Sequence, residues 1–231
     1  MNEVLRQEKK YLMTIADLAS LAGRLDQVLR QDAHNGTRGY AIRSLYFDSL
    51  EDRDFWEKIE GVELRRKLRL RIYSPSDAFA MLEMKQKQGD YQRKRSLRLS
   101  REDAMALARG SYHCLLTYPD PFAAECYGLF CLHCYRPKTI VAYRRKAYVA
   151  QENHIRVTLD HDILATEADL DLFSPRLNTY PVLDPFQGIL EVKYNGFLLS
   201  YIKRMLGRAD RSTLSASKYC LARSASLPFS L

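Results

Sequence analysis

From Glu63 to Lys87 the chain reads ELRRKLRLRIYSPSDAFAMLEMKQK, and polar and apolar residues alternate on both sides of a Ser-Pro-Ser-Asp turn. Lys67, Arg69 and Arg71 interleave with Leu68, Leu70 and Ile72; Glu83, Lys85 and Lys87 interleave with Leu82 and Met84. Successive side chains on a strand point to opposite faces, so the pattern predicts two strands with one apolar and one densely cationic face. A solvated outer face of an antiparallel sheet accounts for one such strand. Recurrence of the pattern asks for more.

The theme returns along the chain. NEVLRQEKKYLM predicts an opening strand with Glu8 and Lys10 on one face, and YAIRSLYFD over Tyr40 to Asp48 a second strand. KTIVAYRRKAYV places Tyr143, Arg145 and Ala147 together, HIRVTLDHDI places Arg156, Thr158 and Asp160 together, and PFQGILEVKYNG sets Glu191 and Lys193 opposite Leu190, Val192 and Tyr194. In YQRKRSLRLS both faces carry charge, Arg93 and Arg95 on one and Lys94, Ser96 and Arg98 on the other, so the inward face stays ambiguous. Three-and-four spacing predicts a helix over Thr14 to Arg30, with Thr14 as N-cap and Asp17 completing a short capping box. Further helices are expected around Asp52 to Lys58, from Ser100 to about Arg109, over Tyr112 to Tyr135 with a break at Pro119-Asp120-Pro121, and over Phe197 to Leu206. The last residues, from about 223 to 231, read as a frayed tail.

The 231 residues support one domain, spanning 1–231. Lys and Arg number 36 against 28 Asp and Glu, a formal charge of +8, and the excess points to an anionic partner: nucleic acid, an acidic membrane surface or a phosphorylated small molecule. No apolar run reaches the roughly 18 residues of a membrane span, and Met1 to Tyr11 is too charged for a secretory signal, so a soluble cytoplasmic protein is expected. Five cysteines fit a reducing compartment. Cys131 and Cys134 form a CxxC, but CYGLFCLHCY reads as an apolar helix with cysteine as a small core residue rather than as a zinc site.

Lys10, Arg69, Arg71, Lys85, Arg145, Arg156 and Lys193 recur strand after strand where an open polar face would carry mixed Thr, Ser and Gln. Burying unpaired cations is costly, so so many pointed together ask for a wet cavity filled by a polyanion. The sequence has no GxxxxGK[ST] or GxGxxG loop, and no helix-turn-helix, zinc-finger or RNP-type pattern, which lowers a nucleotide cradle and sequence-specific nucleic-acid reading. Cations with a few carboxylates suit phosphoryl transfer, in which positioning and charge neutralisation carry catalysis and a divalent metal bridges phosphate oxygens. Glu8, Glu83, Asp160 and Glu191 are the carboxylates on the basic faces. Each has an ion pair with a neighbouring Lys or Arg as its alternative, and for Glu83 that alternative stands at least level with metal binding.

In order, EKKY, LRLRIY, LEMKQK, YRRKAY, IRVTLD, ILEVKY and a late SKY resemble the VTC domain, the polyphosphate polymerase branch of the triphosphate tunnel metalloenzymes, the superfamily that also holds the CYTH phosphatases. The resemblance spans Glu8 to Tyr219. It implies an α+β fold, an antiparallel β-barrel of about eight strands whose lumen is a basic tunnel, with helices outside. It also implies a reaction dependent on Mn or Mg that moves the terminal phosphate of ATP onto a growing polyphosphate chain and releases ADP. Carried onto this sequence, it makes Lys10, Arg69, Arg71, Lys85, Arg145, Arg156, Lys193 and Lys218 the phosphate-gripping cations. Lys94, Ser217 and Tyr143 become further substrate contacts, and Glu191, with Glu8 and Glu83, metal ligands.

The ExExK pattern typical of the CYTH triphosphatases is absent, because Lys9-Lys10 follows a single Glu8. Fewer carboxylates and more cations favour holding a long anionic product over hydrolysing a short one, since hydrolysis needs a metal-activated water. The resemblance also sets this chain apart from some eukaryotic members, which carry additional regulatory and membrane-spanning regions, so a stand-alone catalytic domain is expected, acting on ATP with polyphosphate, inorganic triphosphate or pyrophosphate. A triphosphatase on the same barrel and a non-catalytic polyphosphate-binding module are the alternatives. Oligomeric state and coupling to a membrane partner are left open.

Overall fold

The computed structural model of the chain describes residues 6–89, 91–207 and 217–226. Its strands are β1 (Arg6–Thr14), β2 (Arg30–Gln31), β3 (Tyr40–Asp48), β4 (Leu64–Ile72), β5 (Phe79–Gln88), β6 (Tyr91–Ser100), β7 (Arg136–Val149), β8 (Arg156–Thr166), β9 (Tyr180–Pro181) and β10 (Gln187–Asn195). Its helices are α1 (Ile15–Leu25), α2 (Arg53–Ile59), α3 (Arg101–Ala108), α4 (Pro121–Leu132), α5 (Ser200–Leu206) and α6 (Lys218–Ser224). The fold is α+β. Eight strands of nine or more residues match the number expected, and the two others have two residues each. The ladder order β1-β10-β8-β7-β3-β4-β5-β6 is an open path among the described residues, so the expected barrel holds as an approximation.

By contacts the chain divides into two compact units. The first comprises 1–41, 143–163 and 183–216, and the second 42–142, 164–182 and 217–231, with β7 and β8 contributing to both.

In the first unit β10 pairs antiparallel with β1 and with β8. The register stacks Lys10, Glu191 and Thr158 in one row and Glu8, Lys193 and Arg156 in the next. The opposite face, with Val157, Leu159, Leu190, Val192 and Tyr194, packs on Leu18, Leu21 and Leu25 of α1. Thr14 caps α1 as expected: its Oγ1 accepts from the Asp17 N–H at 3.1 Å and donates to the Asp17 carboxylate at 2.8 Å. The helix ends at Leu25 rather than Arg30, because Arg30 and Gln31 are taken up by the ladder with β7. Leu29 nonetheless stays buried, which is why the apolar periodicity ran on past the helix.

In the second unit β3, β4, β5 and β6 form an antiparallel meander. Leu45, Phe47, Leu68, Leu70, Leu82, Met84 and Leu99 build its core with Leu107 of α3 and Cys126 and Phe130 of α4. Pro121 opens α4, and the Asp120 carboxylate accepts from the Phe122 N–H, so the expected break at Pro119-Asp120-Pro121 is a helix start. Cys126 is a core residue, while Cys131 and Cys134 are exposed. The ambiguity of β6 resolves with Lys94 on the cationic face, across from Lys85. Arg95, on the other side, pairs with Glu125 of α4 and lies over the Phe122 ring at 4.9 Å. The tail expected from residue 223 needs correction at its start. Arg223 is 7 % exposed within α6 and donates to Asp52 at 2.6 Å and to Glu167 at 2.7 Å, partners too far off in sequence to be foreseen.

Gly39 ends the polar tract before β3 at φ +73°, where an added Cβ would stand 2.2 Å from the Arg145 carbonyl oxygen. Gly39→Ala combines a strained backbone with a backbone clash, so it should cost about 2 kcal/mol. A chemical-denaturation midpoint equal to that of the wild type would contradict this.

Candidate functional site

On the polar face of the second unit, β3 contributes Ser44, Tyr46 and Asp48, β4 Lys67, Arg69 and Arg71, β5 Glu83 and Lys85, and β6 Lys94. The rows Tyr46–Arg69–Glu83 and Lys67–Lys85–Lys94 lie side by side in register. Glu83 is the hub. Its carboxylate accepts from Arg69 Nε at 2.8 Å and Nη2 at 2.7 Å, lies 3.7 Å from Arg71 Nη1, and contacts the Lys94 ammonium. Burial opposes its ionisation, but Arg69, Arg71 and Lys94 outweigh burial and hold the carboxyl down at about 2. The Glu83 oxygens are thus in contact with Arg69, Arg71 and Lys94, the ion-pair arrangement that is one of the two roles weighed for it.

Arg71 also donates to Ser44 Oγ at 3.2 Å, and Arg69 donates to the Tyr46 hydroxyl at 3.0 Å. Tyr46 is buried, which disfavours its phenolate, yet the charges of Arg69, Arg71 and Lys67 lower its pKa. Lys67 donates to Ser217 Oγ at 2.7 Å. Ser217 in turn caps α6, accepting from the Cys220 N–H at 3.1 Å, and Lys218 opens that helix. The late SKY segment is therefore joined to this cationic face through Lys67.

The first unit carries the other candidate residues. Lys10 pairs with Glu8 at 2.9 Å, and the Lys193 ammonium contacts Glu191 and stands 3.9 Å from Glu8. Arg145 makes a two-pronged pair with the fully buried Asp160, at 2.6 and 2.7 Å, and its guanidinium lies 5.4 Å from the Tyr143 ring centroid. Burial would lower the Arg145 pKa, but Asp160 raises it well above the ordinary arginine value. Arg156 reaches Asp32 at 2.7 Å and the Tyr40 hydroxyl at 3.2 Å. Asp32 sits on the polar tract that Asn35 pins by donating to the Ala147 carbonyl at 2.8 Å and accepting from its N–H at 3.0 Å.

A divalent cation is tested by this donor set. Glu8 and Glu191 flank a single ammonium, Lys193 Nζ, so a positive charge already stands between two carboxylates. Thr158, level with Glu191 in the ladder, has a buried hydroxyl without a hydrogen-bond partner among the described residues. Oxygen donors of this kind suit Mg or Mn, which are bound through one or two carboxylates with water and phosphate oxygens filling the other positions. Among the described residues no group of three or more His, Cys, Asp or Glu is arranged to hold a metal. Phosphate oxygens and water would therefore have to supply most of the coordination shell.

Sequence reasoning missed Lys67 as a site residue, although it lies on the same alternating face. It also missed Tyr46, Tyr40 and Asp32. Tyr46 carried a signal in its parity with Ser44 and Asp48, whereas Asp32 lies in a polar tract without periodicity and its approach to Arg156 has no local signature.

The VTC domain family matches residues 5–227 of the chain. No match was found among curated proteins. Among solved structures, a candidate adenylyl cyclase from Hippeastrum, described as having a dominant triphosphatase activity, aligns with a TM-score of 0.55 at 12% identity, covering 96% of each chain. A candidate adenylate cyclase from Bacillus halodurans aligns with a TM-score of 0.53 at 13% identity over 92% of this chain and 95% of that one. At these identities the likeness is one of fold.

Glu83 makes stability fall with falling pH. Its folded pKa of about 2 lies below the ordinary 4.5, so its contribution is complete above 4.5 and disappears as pH falls toward 2. The loss should be roughly 3 kcal/mol at most. Denaturation at neutral and acid pH should show this decline in the wild type and a flatter one in Glu83→Gln; equal slopes would mean that the network does not hold Glu83 ionised.

Proposed function

Because the chain belongs to the VTC domain family, we propose that it is a metal-dependent polyphosphate polymerase, moving the terminal phosphate of ATP onto a growing polyphosphate chain and releasing ADP. The terminal oxygen of the polyphosphate attacks the γ-phosphorus, the bond from that phosphorus to the β,γ-bridging oxygen breaks, and ADP leaves with that oxygen. The single observation that carries the reading is the excess of cations over carboxylates on the paired strand faces, with the carboxylates present serving as their counter-ions.

In this reading Lys10, Arg69, Arg71, Lys85, Arg145, Arg156, Lys193 and Lys218 neutralise phosphate oxygens, and Lys94, Ser217 and Tyr143 add contacts to the chain. Lys67 joins them on the strength of its bond to Ser217. Arg69, Lys94, Lys193 and Arg156 exchange carboxylate partners for phosphate ones, so the charge they carry is compensated before and after binding. Arg145 is held so firmly by Asp160 that it acts as a fixed charge rather than one that changes partner. Glu191 and Glu8 would hold a Mn or Mg ion, which would supply positive charge to offset that of the phosphates. ATP, polyphosphate and inorganic triphosphate or pyrophosphate are the proposed ligands, and the cytoplasm the proposed location. No helix of the described residues is long and apolar enough to cross a membrane.

The test is to incubate the protein with ATP and Mn, resolve the products on a gel stained for polyphosphate, and assay free phosphate in parallel. Long anionic polymer with little free phosphate is the expected result. Free phosphate without polymer would move the activity to a triphosphatase, and tight polyphosphate binding with neither product would leave a binding module.

Glu191→Ala should abolish turnover while leaving polyphosphate binding largely intact, because it removes a metal ligand and no cation. Retained turnover would take Glu191 out of the site. Arg69→Ala and Arg156→Ala should each weaken binding and turnover by about tenfold, the size expected for one lost charge-assisted contact. Normal kinetics in both would mean that these side chains do not meet the substrate.

A further inference from the structure

We infer that Asp48 and Tyr219 are positioning residues that hold Ser217 and Lys67 in place for phosphate; the inference rests on the polyphosphate reading of that face. Asp48, the last residue of β3, is fully buried. Its carboxylate accepts from the N–H groups of Ser49 at 2.7 Å, Asp54 at 2.8 Å and Phe55 at 2.9 Å. Those three bonds fix the start of α2, and a helix-capping role would need no more. The fourth bond goes elsewhere: the Tyr219 hydroxyl, on α6, donates to Asp48 Oδ2 at 2.5 Å.

Tyr219 stands two residues after Ser217, so whatever fixes its ring fixes the first turn of α6. The ring stacks on Tyr46 with centroids 5.1 Å apart and meets Phe55 edge-on at 6.4 Å. The Lys67 ammonium lies 5.6 Å from its centroid and donates to Ser217 Oγ. Tyr46, beneath the ring, accepts from Arg69. Two site cations are thus referenced to one aromatic stack, and that stack is anchored at its polar end by a single buried carboxylate. A hydrogen bond to a buried charge is among the stronger kinds, and rotation of the ring away from Asp48 would carry Ser217 away from Lys67.

Tyr219→Phe keeps the ring and its stacking, removes only the hydroxyl, and leaves Asp48 its three N–H donors. The readout is tripolyphosphate affinity by calorimetry, without ATP turnover, with melting temperature measured alongside. Affinity should fall about tenfold, the size expected when one charge-assisted contact is misplaced. Positioning through Ser217 makes a further prediction that a purely structural role does not. In a Ser217→Ala background the added loss from Tyr219→Phe should shrink to about twofold or less, because coupled residues are not additive. Asp48→Asn, which weakens the same bond from its other end, should repeat the pattern. Wild-type affinity in Tyr219→Phe, or an equal fold-loss in both backgrounds, would overturn the inference and leave Tyr219 as support for the fold alone. Wild-type protein that binds no tripolyphosphate would overturn the reading of the face itself, and the positioning role with it.

Discussion

Like charges on a strand face repel one another, and a fold that gathers them must hold them together. In each unit that constraint is met by carboxylates set among the cations. Glu83 takes Arg69, Arg71 and Lys94; Asp160 takes Arg145; Asp32 takes Arg156; Glu8 and Glu191 take Lys10 and Lys193. The depressed pKa of Glu83 measures how strongly the surrounding cations require it to be charged. Removing one partner of such a buried set is costly because the other charge remains. The arrangement therefore compensates its own charge while keeping many hydrogen-bond donors on the faces.

The internal partners are not equivalent. Arg145 and Asp160 satisfy each other in a two-pronged geometry with Asp160 fully buried, so the Arg145 charge is fixed in place. Arg156 and Asp32 are more open, and Asp32 belongs to a tract that is pinned by Asn35 and closed by the left-handed Gly39. Lys94 is about half exposed while Glu83 beneath it is not. In the proposed polyphosphate reading, exposure of this kind would let a phosphate oxygen displace a carboxylate without disturbing the core, at Lys94, Arg156 and Lys193 before Arg145.

Much of this was legible in the sequence because strands impose a period of two. The alternation in LRLRIY and LEMKQK separated core from charged face correctly, and so did the apolar runs that put Leu190, Val192 and Tyr194 against α1. The double charge of YQRKRSLRLS defeated the same logic. Arg95 lies on the core side, where Glu125 and Phe122 of a later helix receive it, and nothing within the strand announces them. Asp48, Tyr219 and Arg223 were illegible for the same reason, since each is defined by a partner more than a hundred residues away or by a short helix near the end of the chain. The end of α1 at Leu25 shows the limit from the other direction: local periodicity ran on to Leu29, and sheet pairing overrode it.

In the proposed polyphosphate reading these cations engage a chain phosphate as a set. Each cation that replaces a counter-ion at the ligand steepens the fall of affinity with salt. The most direct measurement is tripolyphosphate affinity across a series of salt concentrations, in metal-free protein. A log–log slope corresponding to about four or more charges is the result predicted, because several ion pairs must exchange together. A slope near zero, or no binding at low salt, would contradict it and return the charged rows to the role of a solvated sheet face.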